Sequence, residues 1–164
     1  MSGKISDNLG RSSGLIKGAS GGAANTPAFF AFANTAFSIT GGSNTKLVFN
    51  EEVFDTDSKY DKDTNYRFTP GTAGKYFVHY GLRREGWTAS DMWIMVYKNG
   101  SEITRCQNFD HAPNNSSAHA SCVLTLDDDD YIEVFGWQNY TTQNGSGDGT
   151  VIETYFGAFK IAGT

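Results

Sequence analysis

Three stretches of the chain carry side chains that could do chemistry. The first is Asp110-His111 with His119 following in the same region, two imidazoles near a carboxylate. Such a set could ligate a metal or move a proton. The spacing matches no zinc motif, and no serine or cysteine occupies a recognisable nucleophile turn. Hydrated loop polarity explains the stretch from Asn108 to Ser117 better. The second is the run Asp127–Asp130, four consecutive carboxylates that a hard divalent cation would favour. A charged turn between two strands explains it more simply, and such charge also discourages edge-to-edge pairing. The third is DTDSKYDKD, from Asp55 to Asp63. A helix-loop-helix calcium site needs Gly at its sixth place and Glu at its twelfth, where this chain has Tyr60 and Tyr66. No catalytic residue, metal ligand or cofactor is assigned. The reading is a protein that binds or builds and is not an enzyme.

Composition supports that reading and limits the fold. Aromatic residues make up 14% of the chain and it holds 19 glycines, a mixture that suits strands joined by turns needing positive φ. The formal charge of −5 argues against a nucleic-acid partner, which selects a basic surface. No apolar run is long enough to cross a bilayer, so no membrane partner is expected. The first residues, MSGKISDNLGRSSGLIK, lack the apolar segment of a secretory signal, and the expectation is a chain made in the cytoplasm without a signal peptide. Two cysteines are too few for a disulfide scaffold. Cys122 falls in phase with Ala118, Ala120, Leu124 and Leu126, which places it as a small core side chain; a bridge to Cys106 is the less favoured alternative.

The elements that must hold these residues divide the chain in two. Residues 1–26 form an extended arm and a Gly-rich linker, and residues 27–164 form the head. The arm has few apolar anchors, Ile5, Leu9, Leu15 and Ile16, with Arg11 among its cations. Such a segment buries too little to order itself, so a larger assembly is expected to hold it. In the head, Ala28 to Ile39 alternates as one strand with phenylalanines on both faces, including Phe30 and Phe32. From Lys75, Tyr76, Val78, Tyr80 and Leu82 take one face while Phe77, His79 and Gly81 take the other. Thr69-Pro70-Gly71 is a turn, and Asn99-Gly100 is the strongest hairpin signal, because both residues tolerate positive φ. Ala118 to Leu126, Tyr131 to Trp137 and Val151 to Ile161 are further strands. Residues 139–150 read as a long exposed loop. Short aromatic strands with this many turns predict an all-β sandwich.

One set of these residues also carries a resemblance. Phe49 in Val-Phe-Asn, then Asp55, Tyr60, Phe68, Gly74, Tyr76 and Tyr80 follow in order; Asp130 stands in a turn before a strand, and Tyr155-Phe156-Gly157-Ala158-Phe159 lies in the closing strand. The pattern resembles the globular head of the q subcomponent of the first complement component, within the tumour-necrosis-factor-like superfamily. Here the gap from Tyr60 to Phe68 is one residue longer, and Val78 stands where that family has Phe. The resemblance implies a jelly-roll β-sandwich whose first strand lies beside its last. It also implies a homotrimer joined through aromatic faces, with Phe30, Phe32, Tyr76, Tyr80 and Tyr155 at the interface.

The peptide SDNLGRSSGLIK resembles the opening of several bacteriophage structural proteins. Together the two resemblances imply a non-enzymatic virion protein that decorates or cements a capsid, its arm gripping a capsid or tail protein. A second reading is the receptor-binding tip of a phage fibre. There Trp87, His111, Trp137 and Tyr140 would meet a host surface glycan or protein; Trp137 has core packing as its alternative, since it alternates with Phe135. A third is a secreted cytokine-like or innate-immune recognition module.

Overall fold

The computed structural model describes residues 25–84, 91–109 and 117–163. These form thirteen strands: β1 (Ala28–Phe32), β2 (Phe37–Ile39), β3 (Thr45–Lys46), β4 (Glu51–Asp55), β5 (Tyr60–Asp61), β6 (Arg67–Phe68), β7 (Gly74–Arg83), β8 (Asp91–Lys98), β9 (Ser101–Phe109), β10 (Ser117–Leu126), β11 (Ile132–Gln138), β12 (Gln143–Gly145) and β13 (Tyr155–Ala162). The expected arm residues Ile5, Leu9, Arg11, Leu15 and Ile16 lie outside the described residues, as do Trp87 and His111.

Two antiparallel sheets make a jelly-roll sandwich. One has the order β10-β7-β13-β1-β4; the other has β5-β6-β11-β8-β9, with β3 also on β11. The alternation expected along β7 is the physical basis of the stack. Tyr76, Val78, Tyr80 and Leu82 all point between the sheets and are fully buried, opposite Ile94, Val96, Ile132 and Val134 of the second sheet. One end of the core is aromatic. Phe29 stacks on Tyr60 at 4.6 Å and on Phe68 at 4.7 Å, and meets Phe156 edge-on at 4.8 Å. Offset and edge-on contacts of this kind add stability beyond the area they bury. The buried Tyr60 hydroxyl donates to the Phe49 carbonyl at 3.0 Å, which satisfies its one donor.

This packing corrects part of the expected interface. Tyr76 and Tyr80 are wholly inside their own subunit, so neither can reach another chain. The Tyr76 hydroxyl donates to the Thr72 carbonyl at 2.7 Å, and burial pushes its pKa up to about 12. The single strand expected from Ala28 to Ile39 is two. It breaks at Asn34, whose backbone N–H leaves the sheet for the Asn50 side chain, while Ala33 N–H bonds the Thr154 carbonyl. Past the break, β2 pairs with β12, a strand inside the stretch read as an open loop. Cys106 and Cys122 are both free thiols packed against the core.

Strand direction gives the head two distinct ends. The chain enters β1 and leaves β13 at one end, with Ala28 opposite Phe159. The Asn99-Gly100 turn and the acidic turn lie at this base, where Gly71 N–H bonds the Asp128 carbonyl. At the opposite end, the apex, β7 finishes, β8 begins and β10 begins, with Asp91 opposite Phe109 and Ser117 opposite Arg83.

Candidate functional site

The side chains of β7 that do not enter the core define an outward face on the five-stranded sheet. Register fixes which residues share it, because directly opposed residues point the same way. One row crosses all five strands: Phe54, Phe30, Gly157, His79, Ser121. The row above reads Phe32, Tyr155, Gly81, His119, and the row below reads Ala28, Phe159, Phe77, Val123.

The two glycines let the rings lie flat. A Cβ at Gly157 would sit 2.4 Å from His79 Nε2 and 2.9 Å from Phe30 Cδ2. Without it, the Phe30 and His79 rings approach across β13 and stack at 5.4 Å with 12° between planes. Gly81 does the same on β7: a Cβ there would meet the His119 and Tyr155 rings, which stack at 5.7 Å. Tyr155 Oη lies 3.2 Å from His119 Nδ1, a hydrogen bond whose direction is set by the imidazole tautomer. Phe77 joins the series through His79 and Phe159. Phe54 and Val123, at the two margins, stay 48% and 55% exposed. Burial among the rings lowers the His79 pKa below the ordinary imidazole value.

The second sheet also carries rings on its outer side, and cations lie over Trp93, Phe135 and Tyr131. Trp93 and Trp137, paired across β8 and β11, stack at 4.0 Å. The Arg105 guanidinium lies 4.2 Å from the Trp93 ring centre, and both its Nε and Nη2 donate to Glu102 at 2.8 Å. Lys46 lies over Phe135 and pairs with Glu133, and Arg67 lies 4.6 Å over Tyr131. A cation above a ring gains from the ring's quadrupole while presenting charge to water. Among the described residues no such cation lies over a ring of the first face.

The expected interface residues therefore separate. Phe30 and Tyr155 lie on the outward face, and Phe32 lies there too but is nearly covered. Sequence reasoning omitted Phe54, Phe77, His79, Val123 and Phe159 from the site. The signal was present in β7, where rings occur on both sides of one strand. Of the expected ligand residues, Trp137 is half-buried beside Trp93 on the outer side and not in the core. Tyr140 is exposed at the apex, in a turn set by buried Gln138. The Gln138 side chain donates to the Thr141 carbonyl at 2.6 Å and accepts from Tyr140 N–H at 2.6 Å. Any Cβ at Gly41 would lie 1.7 Å from the Tyr140 carbonyl oxygen, so only glycine lets that turn close. At the base, the Asp130 carboxylate is engaged by protein donors. It accepts from Asn99 Nδ2, Asp127 N–H and Lys98 Nζ, each at 2.6 Å. Burial alone would raise its pKa; these donors hold it below the usual carboxylate range.

Comparison with known proteins matches the C1q domain over residues 28–159. The globular domain of zebrafish complement 1qA superposes with a TM-score of 0.66 at 16% identity, covering 84% of this chain and 99% of that one. The Eiger TNF of S. frugiperda gives 0.64 at 12% identity, covering 84% and 93%. Murine APRIL gives 0.64 at 14% identity, covering 82% and 98%. No curated protein matches the chain.

Proposed function

The chain belongs to the C1q domain family, and from that premise we propose a non-enzymatic homotrimer whose subunits meet through the outward face of the five-stranded sheet. One observation carries this reading: two outer faces bear aromatic rings, and among the described residues Arg and Lys lie over rings of the second sheet's face but over none of the first. Uncapped rings beside Phe54 and Val123 form an apolar surface that water disfavours and a further subunit would cover. Closed threefold symmetry lets every copy bury the same surface.

The finer reading is a virion structural protein that decorates or cements a bacteriophage capsid. Its support is the arm sequence and the place where the arm joins the head. The chain enters β1 at the base, so a particle gripped by residues 1–26 would sit below, with the apex pointing away. Three arms per trimer would make the second and third contacts effectively intramolecular. The apical placement of Tyr140 and its exposure favour a second reading, in which the trimer is a receptor-binding tip and Tyr140 with Trp137 meets a host glycan or protein. The secreted recognition module uses the same trimer and differs in where the protein is found.

Two measurements test these readings. Native mass of the isolated protein is expected to give three subunits, and a stable monomer would overturn the trimer. Deleting residues 1–17 is expected to leave a folded trimer that no longer attaches to purified particles. Continued decoration by the truncated protein would refute anchoring by the arm. Copy number matching capsid lattice points favours cement, and saturable binding to host cells favours the tip. Recovery of the protein only from secreted material would select the third reading.

A further inference from the structure

We propose that His79 makes the trimer acid-labile: protonation of its imidazole in the ring row drives the subunits apart while each head stays folded. This rests on the trimer reading of the outward face. His79 stands in the middle row, with Phe30 stacked on it across Gly157, Phe77 at 6.1 Å and Tyr155 at 5.8 Å. These partners are aromatic, and among the described residues none of its contacts is a carboxylate.

Among the described residues, the titratable groups around it supply no counter-charge. From β10, Ser121 is opposite and His119 lies one row up. From β13 there is Tyr155, engaged with His119. β1 contributes only Phe30 and Phe32 beside it. β7 itself adds Lys75, a like charge, at the base. β4 adds Glu51 at the far margin, opposite Phe32 and beyond β1 and β13 from His79. A neutral imidazole fits such a face. An imidazolium covered by a second subunit would lose its hydration with no anion on its own face to replace it.

The direction follows from linkage. Burial in the subunit already lowers the His79 pKa, and covering by a neighbour adds desolvation of the same sign. Assembly is then strongest above the free subunit's pKa and weakens as pH falls through it. Three protons taken up per dissociating trimer raise the dissociation constant by up to about a thousandfold per pH unit.

Sedimentation of the full chain from pH 8 to pH 5 tests this, with tryptophan fluorescence reporting whether the head stays folded. The wild type is expected to pass from trimer to folded monomer below about pH 6.5, the ordinary imidazole range. His79→Gln is expected to remain trimeric across the range, and His119→Gln to keep the wild-type transition. If His79→Gln does not assemble at pH 8, His79→Phe fills the same space with an apolar ring and is expected to stay trimeric to pH 5. A wild-type trimer that persists at pH 5 overturns the switch and leaves the trimer standing. So does a transition abolished by His119→Gln, or one that coincides with unfolding. A wild-type monomer at pH 8 overturns the trimer reading and the switch with it.

Discussion

Asp130 ends a run of four aspartates, and it alone of the four is buried. Its position brings it to the hairpin turn of another pair of strands. Asn99 donates to Asp130 and accepts from Tyr131 N–H at 2.9 Å, while Asn99 N–H bonds the Tyr131 carbonyl at 3.0 Å. The acidic turn and the hairpin turn are thus one clasp. Asp130→Ala is expected to cost about 1–3 kcal/mol at neutral pH, the usual loss when a charged hydrogen-bond partner is removed. Urea unfolding measures it. Because the folded pKa is depressed, the stabilisation is complete above the unfolded value near ~3.9 and fades as pH falls through the folded one. The gap between wild type and variant should therefore narrow in acid; a gap that stays constant to the lowest folded pH would refute the ionic account.

At the level of the element, the hairpin joining β8 to β9 depends on two residues in left-handed conformation, Asn99 at φ 51° and Gly100 at φ 78°. Gly100→Ala is expected to cost about 1–2 kcal/mol, because a Cβ is disfavoured in that region. A lowered thermal midpoint with unchanged subunit mass would be the readout. Asn99-Gly100 was legible in the sequence because the turn's requirement is local. So was β7, where buried Tyr76, Val78, Tyr80 and Leu82 alternate with outward Phe77, His79 and Gly81. The division of Ala28–Ile39 into β1 and β2 was not. Alternation continues through Asn34, and the break comes from bonds to Asn50 and Thr154, far away in the chain. β12 was missed for a similar reason: three residues of Gln, Asn and Gly have no strand pattern until β2 is beside them. Tyr76 and Tyr80 were placed at an interface because an aromatic residue fits a core or a subunit contact equally well by type. Periodicity separates the two faces of a strand but does not label them.

For the whole molecule, the contrast between capped and uncapped faces makes the assembly testable without disturbing the core. Phe54→Asp and Val123→Asp each put a charge at a margin of the uncapped face. Each is expected to weaken the trimer at least tenfold and leave the fold intact. Ile103→Asp is the control: it is 48% exposed on β9 of the other sheet and should leave assembly unchanged. Equal effects at all three sites, measured by sedimentation at matched concentration, would remove the distinction between the faces.

The head's two ends also differ in what can be added to them. β13 finishes beside the start of β1, with Phe159 opposite Ala28, so a passenger peptide spliced after Gly163 would emerge at the base. Under the anchoring proposed above, the gripped surface would shield it. A passenger inserted beside Tyr140 would instead be carried on the far side, open to antibodies and proteases. The same geometry lets a short bridge join the end of β13 to the start of β1 and new ends be cut at the apex, giving a circularly permuted head with its rings still in register.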